Sequence, residues 1–344
     1  MSRDTLSDVL RTVRLRGAVF YYLDGTSPWT AEVPPAEEII GGIMPGAEHM
    51  IEFHGVVEGA CWGGVAGETP LRLVARDVIL FPHGDAHVLS SAPGLRPPRV
   101  DKSVYFAPRP PQLPYAVSLH GSEVTTARLD GGGGSDHTVL VCGFLGLDAR
   151  PFNPILAALP RLLHVAGATL GADSWIASFL QVAVVESNQR RPGGEAVLER
   201  MSEMLFVEVL RRHIDALPPN ETGWLAGMRD PGIGRVLALL HEKPEVPWTL
   251  ERLADDAAMS RSTLHDHFVH FIGQPPMQYL ARWRMQVAAK LLRDTKAKLI
   301  EVAQGVGYES EAAFSRAFKR AVGVAPGAWR AGQRSGGDAP ALAP

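Results

Sequence analysis

The 344-residue sequence predicts an α+β protein with an N-terminal antiparallel β-barrel, a helical linker region and a C-terminal all-α domain. Three observations lead to this fold class. Residues 17–148 contain short apolar segments separated by Gly, Pro and Asp, which is typical of strands and tight turns. After Pro151 the apolar residues recur at helical spacing. From Arg229 onward the sequence nearly repeats itself at an offset of about 50 residues.

The β-rich part is expected to form one domain, residues 1–150. Several of its segments alternate apolar and polar residues, and all of them are short. The expected strands are Gly17–Asp24, His49–Val57, Ala60–Val65, Leu71–Phe81, Ala86–Ser90, Ser103–Phe106, Tyr115–Leu119 and His137–Leu147. Short strands at this spacing favour an antiparallel barrel or sandwich.

Residues 151–228 are expected to form a helical linker region. In the predicted helix Gly194–Leu217, one apolar stripe is made by Val197, Met201, Met204, Leu205, Val209 and Leu210. Two interpretations remain open. The stripe packs against its own domain, or it pairs with the same helix of a second copy and forms a homodimer. Pro218 and Pro219 end this helix.

The internal repeat keeps capping, core and turn positions in register. Its serines are placed to cap a helix, its glycines to end one and its prolines to open the next. The corresponding pairs are Leu253 and Val302, Ala254 and Ala303, Ser260 and Ser310, Leu264 and Phe314, Phe268 and Phe318, Gly273 and Gly323, Pro276 and Pro326, and Tyr279 and Trp329. This agreement predicts two copies of one structural unit.

Each copy is expected to be a helix, a tight turn and a second helix, with a small alanine where the helices cross. The helix pairs are Thr249–Ala257 with Ser260–Ile272, and Leu299–Val306 with Ser310–Val322. The long helix Pro276–Arg293 would hold both units at a fixed separation. Units about 34 Å apart enter successive major grooves on one face of DNA. We therefore expect a double helix-turn-helix domain at residues 229–332, followed by a flexible tail at 333–344.

The segment from Trp248 to Arg330 resembles the DNA-binding domain of the AraC/XylS family of bacterial transcription regulators. The resemblance is carried by Ile300–Gly307, Tyr308, Phe314–Lys319, Gly323–Pro326 and Trp329-Arg330. It implies a sequence-specific regulator, more often an activator, whose N-terminal domain senses a small-molecule or redox effector. It further implies a homodimer that binds double-stranded promoter DNA and contacts RNA polymerase.

The resemblance also implies which side chains meet the DNA. These are Arg261, Ser262, Thr263, His265 and Asp266 in the first copy, and Glu311, Ala312, Ser315, Arg316 and Lys319 in the second. Arg316 suits guanine and Glu311 suits cytosine N4. Arg261, Lys319 and Arg320 are better suited to phosphate contacts that set the register. The alternative for each charge is a solvated helix face.

Asp266 runs against this interpretation, because it places a carboxylate where phosphate or base edges would lie. No arginine stands there or at His267. The first unit is therefore expected either to bind DNA more weakly or to read bases through His265 and Ser262.

The segment Asp77–His87 resembles the second cupin motif, in which a proline-x-glycine turn precedes a histidine. Phe53-His54 with Glu58-Gly59 lies where the first cupin motif is expected. The resemblance implies a cupin-like barrel. Two positions depart from the pattern: Arg76 replaces a glycine, and Glu52 takes the first place of the His-x-His pair of catalytic cupins.

His54 and His87 are candidate metal ligands if they approach each other inside the barrel, with Glu52, Glu58 or His83 nearby. Two imidazoles and a carboxylate suit iron or zinc. The alternative is that these histidines line an effector pocket or hydrogen-bond in the barrel wall. The candidate effector-binding residues are His54, His83, His87 and Cys142.

Composition narrows the class of protein. A net charge of −3 conceals a modestly basic C-terminal part on a more acidic body, which fits a DNA-contacting module carried by another domain. The apolar runs are too short to cross a bilayer, and no signal-peptide core opens the sequence, so a cytoplasmic protein without membrane contact is expected. The two cysteines, Cys61 and Cys142, are too few for a disulfide framework.

Three alternatives to a ligand-controlled regulator stay open. The first is a redox-sensing regulator acting through Cys142 and Cys61, if a thiol is accessible and its pKa is lowered. The second is a metal-dependent cupin enzyme fused to a DNA-binding domain, against which the incomplete His-x-His pair counts. The third is an architectural DNA protein with weak sequence preference and a large salt dependence. We expect a regulator that is not an enzyme.

Overall fold

The computed structural model describes residues 4–95, 102–106, 115–121, 123–125, 137–169, 171, 174–189 and 191–335. The chain forms two compact units. The sheet unit comprises residues 15–147 and 159–215, and the helical unit comprises residues 1–14, 148–158 and 216–344. None of the helices in the described part of the chain is both long and apolar enough to cross a membrane.

The sheet unit is built on one curled sheet. Its strands are β1 (Arg16–Val33), β2 (His49–Glu58), β3 (Ala60–Val65), β4 (Leu71–Val74), β5 (Val78–Phe81), β6 (His87–Ser90), β7 (Tyr115–Gly121), β8 (Glu123–Thr125), β9 (His137–Leu147) and β10 (Leu163–Val165). The order is β10-β5-β2-β9-β1-β6-β3-β4, with antiparallel neighbours. β7 pairs with β1 in parallel and with β8. The expected α+β fold with an antiparallel β-domain is confirmed.

Two strand predictions need correction. The segment 71–81 forms two strands, because Arg76 adopts a left-handed φ of 77° and the Val74 amide donates to Asp77 Oδ2, which closes a turn. Residues 103–106 are not a strand: Lys102–Tyr105 is a 3-10 turn, in which the Phe106 amide donates to the Ser103 carbonyl. An i to i+3 bond of this kind tightens the backbone out of the extended conformation.

In its described residues the sheet unit also contains the α-helices α2 (Ala36–Ile43), α4 (Trp175–Gln189) and α5 (Gly194–Ala216). The interior face of the sheet is mainly apolar and buries Trp29 and Phe81, whereas Phe53 is buried against Phe179 of α4. α5 buries Leu198, Leu205, Phe206, Val209 and Leu210, while Val197 and Met204 are exposed. The stripe expected on this helix therefore divides between a buried side and an outward side.

The helical unit contains α1 (Thr5–Thr12), α3 (Pro154–Ala158), α6 (Trp224–Arg229), α7 (Pro231–Glu242), α8 (Leu250–Asp256), α9 (Arg261–Ile272), α10 (Pro276–Asp294), α11 (Leu299–Gly305), α12 (Glu311–Val322) and α13 (Pro326–Ser335). The helices of the linker region expected at 151–228 are thus shared between the two units. α13 continues into the expected tail, of which residues 336–344 lie outside the described part.

The repeat forms two helix-turn-helix units, α8–α9 and α11–α12, as its caps predict. The Ser260 hydroxyl accepts from the Thr263 amide, and the Ser310 hydroxyl accepts from the Ala313 amide. Gly273 and Gly323 end their helices with φ of 75° and 89°, a conformation that costs glycine little. α10 connects the two helix-turn-helix units, and its buried residues contribute to the cores of both of them.

Candidate functional site

The expected DNA-facing residues lie on the exposed sides of α9 and α12. On α9, Leu264 and Phe268 are fully buried. The first two turns of the helix expose Arg261, Ser262, Thr263 and Asp266 to solvent, and His265 is half-buried. On α12, Phe314 and Phe318 take the buried side, which leaves Glu311, Ala312, Arg316 and Lys319 exposed and Ser315 half-buried. The structure therefore places each set of five on one accessible helix face.

The first of these faces is partly engaged in internal contacts. Arg261 Nη1 donates to Glu251 Oε1 at 2.7 Å, and this ion pair together with Thr249 lowers the pKa of the Glu251 carboxyl. His265 Nδ1 lies 3.2 Å from Asp266 Oδ1. On the first recognition helix, the arginine and one histidine thus each have a carboxylate beside them.

The second face is more basic. Arg316 and Lys319 are exposed and take part in no ion pair among the described residues, and Arg320 adds a third basic side chain. Basic side chains at the exposed positions of a recognition helix can meet phosphate oxygens or guanine edges. The side chains best suited to DNA contact therefore lie on α12.

A separate buried cluster lies inside the sheet unit, where β2 and β6 bring Glu52, His54 and His87 together. One ligand atom from each residue lies within 4.8 Å of the others. His54 Nε2 is 2.7 Å from His87 Nε2, and Glu52 Oε2 is 3.7 Å from His87 Nε2. All three side chains are buried, and neither oxygen of Glu52 has a hydrogen-bond partner. Buried polar groups without partners are rare and costly, so this cluster suits a ligand.

Hydrogen bonds assign the tautomers of the two histidines. His87 Nδ1–H donates to the Asp85 carbonyl at 2.9 Å, so the His87 Nε2 lone pair faces the cluster and accepts from His54 Nε2–H. A metal-ligating histidine is usually oriented by such a bond from its other nitrogen. His87 therefore has the orientation that a metal ligand would need, whereas His54 would have to move its proton to Nδ1, an atom that has no partner.

Burial disfavours the charged form of each side chain in the cluster. It raises the pKa of Glu52 well above, and lowers that of His54 well below, their ordinary values; neighbouring His87 also lowers the latter. Burial lowers the pKa of His87 to about 4, although the Asp85 carbonyl partly offsets this. Metal ligation needs the ionised carboxylate and the neutral imidazoles, so a bound cation would favour those forms of the three side chains.

Aromatic and thiol groups surround the cluster. The ring of Phe81 stacks on His87 with centroids 3.8 Å apart, and Cys142 lies opposite His54 in the β2–β9 pairing. Tyr105 packs against the apolar cluster that contains Met50 and Phe144, and burial, followed by the charge of Glu52, raises the pKa of its phenol. Tyr105 was not among the expected site residues, because a strand at 103–106 carries no signal that places it in this part of the sheet unit.

Two of the expected neighbours lie elsewhere. His83 is exposed, and its Nε2 bonds to the Leu159 carbonyl. Glu58 is exposed at the end of β2. The Pro-x-Gly turn points the side chain at its centre away from the interior, so only the histidine after the turn, His87, reaches the cluster.

The two thiols are buried, and burial raises the pKa of both. The pKa of Cys61 rises to about 12, with Asp77 contributing, and that of Cys142 rises further, with Cys61 and Glu52 contributing. Both side chains pack in one apolar cluster of the sheet. Because the thiolate is the reactive form, these surroundings disfavour a fast redox response at either residue.

Two family models match the chain. A cupin model covers residues 4–215, and a helix-turn-helix domain model covers residues 253–332. A putative AraC-like transcription regulator of Streptomyces lividans is 32% identical over 95% of this chain and 98% of its own length. The HTH-type transcriptional regulator AlkR of Acinetobacter baylyi is 28% identical over 95% of this chain and 99% of its own.

Solved structures also match the C-terminal part. The DNA-binding domain of AdpA, a global transcriptional factor crystallised with a target DNA, is 34% identical. The match covers 31% of this chain and 95% of that domain, with a TM-score of 0.29.

Proposed function

Because this chain belongs to the AraC-like transcription regulators, with a helix-turn-helix DNA-binding domain and a cupin sensor domain, we propose that α12 makes its main contact with promoter DNA. The observation that carries this assignment is the charge of the two recognition helices. α12 exposes Arg316, Lys319 and Arg320, whereas α9 has one arginine, and that arginine is paired with Glu251. Arg316 reads a guanine, and its neighbours bind phosphates.

Substitution of two arginines tests this assignment. Arg316→Ala lowers affinity for the cognate operator by about 1–3 kcal/mol, the contribution of one good base contact, and relaxes sequence preference at one position. Arg261→Ala is the matched control on α9 and has a smaller effect, which is equal for operator and random DNA. The measurement is a gel-shift titration of the full-length protein at fixed salt. Unchanged binding by Arg316→Ala would remove this residue from the interface.

We further propose that the effector of this regulator is a first-row divalent metal ion, and that Glu52, His54 and His87 bind it. The carboxyl of Glu52 is buried and has no hydrogen bond, and the lone pair of His87 Nε2 faces it. Carboxylate oxygen and imidazole nitrogen are donors that such an ion takes. A bound ion would supply a fixed positive charge and hold β2 to β6. It would also favour the ionised carboxylate of Glu52.

Cobalt(II) is the probe for this site, because its visible spectrum reports nitrogen and oxygen ligation without any DNA. The full-length protein should bind one Co²⁺ per chain with absorption in the visible range. His87→Ala should abolish the absorption, whereas His83→Ala, four residues away and outside the cluster, should keep it. Binding that survives His87→Ala would show that the cluster is not the site. Turnover in the same preparation would favour the cupin enzyme instead.

A homodimer through α5 is the third part of the proposal. Val197 and Met204 on α5 are 43% and 56% exposed, and Val185 on α4 is 38% exposed. Around Met204 the sequence is complementary to itself in the antiparallel sense, since Arg200 and Glu208 lie at equal distances on either side. Two copies related by a twofold axis at Met204 would therefore pair Met204 with its own copy and Arg200 with Glu208 of the other copy.

The oligomeric state tests this surface. Met204→Glu should convert a dimer to a monomer in sedimentation equilibrium, because a carboxylate would meet its own copy across the axis. Val324→Glu, at an exposed apolar residue of the helical unit, is the matched control and should leave the mass unchanged. A wild-type protein that sediments as a monomer, or a variant that remains dimeric, would exclude this seam.

Activation through RNA polymerase is the last part. Transcription in vitro from a promoter that carries the operator upstream should rise when the regulator is added to RNA polymerase. A fall in transcript would identify a repressor and leave the DNA contacts unaffected.

A further inference from the structure

A short segment that follows β9 is built into the helical unit. β9 ends at Leu147, and the next residues, 148–153, belong to the helical unit and not to the sheet. We call residues 148–153 the strap. The helix-turn-helix domain expected from the sequence begins only at Arg229, so the contacts of the strap, which lies well before it, call for an explanation.

The strap binds one face of α10 by three different contacts. Asp148 Oδ2 accepts from Arg293 Nη1 at 2.5 Å, and the side chains are only 6% and 8% exposed. The Phe152 amide donates to Gln286 Oε1 at 2.9 Å, and Gln286 is itself buried. Arg282 lies over the Phe152 ring at 4.1 Å. The three α10 residues are spaced by four and seven positions, which places them along one side of the helix.

The strap is fastened from its other side as well. The Asp148 amide donates to the Val13 carbonyl at 2.8 Å, just after α1, and α1 packs on α7 and α10. Asn153 Nδ2 donates to the Asp148 carbonyl, and Asn153 Oδ1 accepts from the first amides of α3. A buried ion pair is costly to form and directional, so it specifies a position more than it adds stability.

α10 is the element that both helix-turn-helix units share. Tyr279, near its start, packs edge-on against Phe268 of α9. Ala288, Ala289 and Leu292, near its end, lie in the same apolar core as Phe314 and Phe318 of α12. Whatever fixes the position and bend of α10 therefore fixes the separation of the two recognition helices.

We propose that the strap is a positioning element for DNA reading: by holding α10, it sets the spacing at which the two recognition helices meet DNA. Because the strap follows β9 directly in the chain, a change at the end of that strand reaches α10 through covalent bonds. β9 is also the strand on which Phe144 and Cys142 pair with Glu52 and His54. The inference rests on the proposed function, because it requires that both helix-turn-helix units contact DNA.

The test measures spacing preference and not affinity alone. A duplex is first selected from random DNA by the full-length wild-type protein, and one base pair is then inserted between its two sub-sites. The insertion rotates one sub-site by about 34° about the helix axis. For the wild type it should weaken binding at least about tenfold. For Asp148→Asn the penalty should fall below about threefold, because α10 can then adjust.

Two further variants distinguish loss of the contact between the strap and α10 from misfolding and from a change of charge. Asp148→Leu with Arg293→Met replaces the ion pair by apolar groups that retain the fold, and should also lose the spacing penalty. Lys290→Gln removes a charge from the same helix without touching the strap, and should keep the penalty. A folded double variant with the wild-type penalty would overturn the inference. No penalty in the wild type would instead overturn the contact of both units with DNA, and the inference with it.

Discussion

The two helix-turn-helix units have the same caps and turns but different surroundings. The first carries one arginine and one aspartate on its recognition helix, and its core contains a buried hydrogen-bonded network. The second carries three basic residues and one acidic residue, and its core is apolar. The difference teaches that two copies of one motif can diverge: the first copy has a hydrogen-bonded core, and the second has an apolar core and a more basic recognition helix.

The anchoring network of the first unit is centred on Tyr279. Trp224 Nε1–H donates to the Tyr279 hydroxyl at 2.7 Å, and this hydroxyl donates to His241 Nε2 at 2.7 Å. All three residues are buried. In the second unit the equivalent residue is Trp329, whose indole nitrogen has no partner. Three predictions use this contrast, from the largest expected effect to the smallest.

Tyr279→Phe should lower the free energy of unfolding by about 3 kcal/mol, because it leaves the Trp224 donor and the His241 acceptor buried without partners. Trp329→Phe, at the repeat-equivalent position, should cost less, since no hydrogen bond is lost there. Urea unfolding of the full-length variants, followed by tryptophan fluorescence, measures both values. Equal costs at the two positions would contradict the division between an anchored and an apolar core.

A fall in pH should lower the free energy of unfolding through His241, which lies in the core of the first helix-turn-helix unit. Burial lowers the pKa of His241 to about 3, so the unfolded chain takes up a proton below about pH 6.5 that the native chain refuses. The contribution of His241 to stability is thus complete above pH 6.5 and is lost progressively as the pH falls towards 3. At pH 5 the loss is about 2 kcal/mol.

The measurement is the free energy of unfolding between pH 7.5 and pH 5 for three proteins. His241→Gln, which keeps a hydrogen-bonding side chain but does not titrate, should show a shallower pH slope than the wild type. His270→Gln, on the exposed side of α9, should retain the wild-type slope. His87 and His54 of the sheet unit contribute to the slope of all three proteins, so the comparison isolates His241.

Removal of Asp266 from α9 should make DNA binding by the first helix-turn-helix unit more similar to that by the second. Asp266 is 79% exposed at its side chain, and a carboxylate there repels phosphate. Asp266→Ala should raise DNA affinity by about 0.5 kcal/mol, or roughly twofold, with a gain that shrinks as salt is added. Asp215→Ala, an exposed charge on α5, controls for the change in net charge. A loss of affinity would mean that Asp266 accepts from a base.

Much of the DNA-binding part could be predicted from the sequence because its signals are local. Ser260, Ser310, Gly273 and Gly323 determine where helices begin and end within a few residues of themselves. The repeat then supplied a second, independent reading of each boundary. The exposed residues of α9 and α12 followed, since the buried pair on each helix leaves only one face accessible.

The candidate ligand site was harder to predict. His54 and His87 were found through a motif, but the place of Glu52 beside them depended on β2 and β6 closing on one interior. His83, four residues before His87, lies outside the cluster, although the sequence analysis named it together with Glu52 as a possible neighbour of the two histidines. Tyr105 comes from a segment that is 3-10 and not a strand. Sequence periodicity reports which face a residue takes, not which distant element lies opposite that face.

The sequence by itself determined the α+β class, the duplicated helix-turn-helix units with their caps, and the identity of two histidines that meet. Only the tertiary structure decided that Glu52 completes their cluster, that α1 and residues 148–158 belong with the DNA-binding helices, and that Asp148 binds Arg293. The physical reason is range. Capping, turn and amphipathic preferences act over a few residues, whereas a buried ion pair between residues 145 positions apart exists only after the chain has folded.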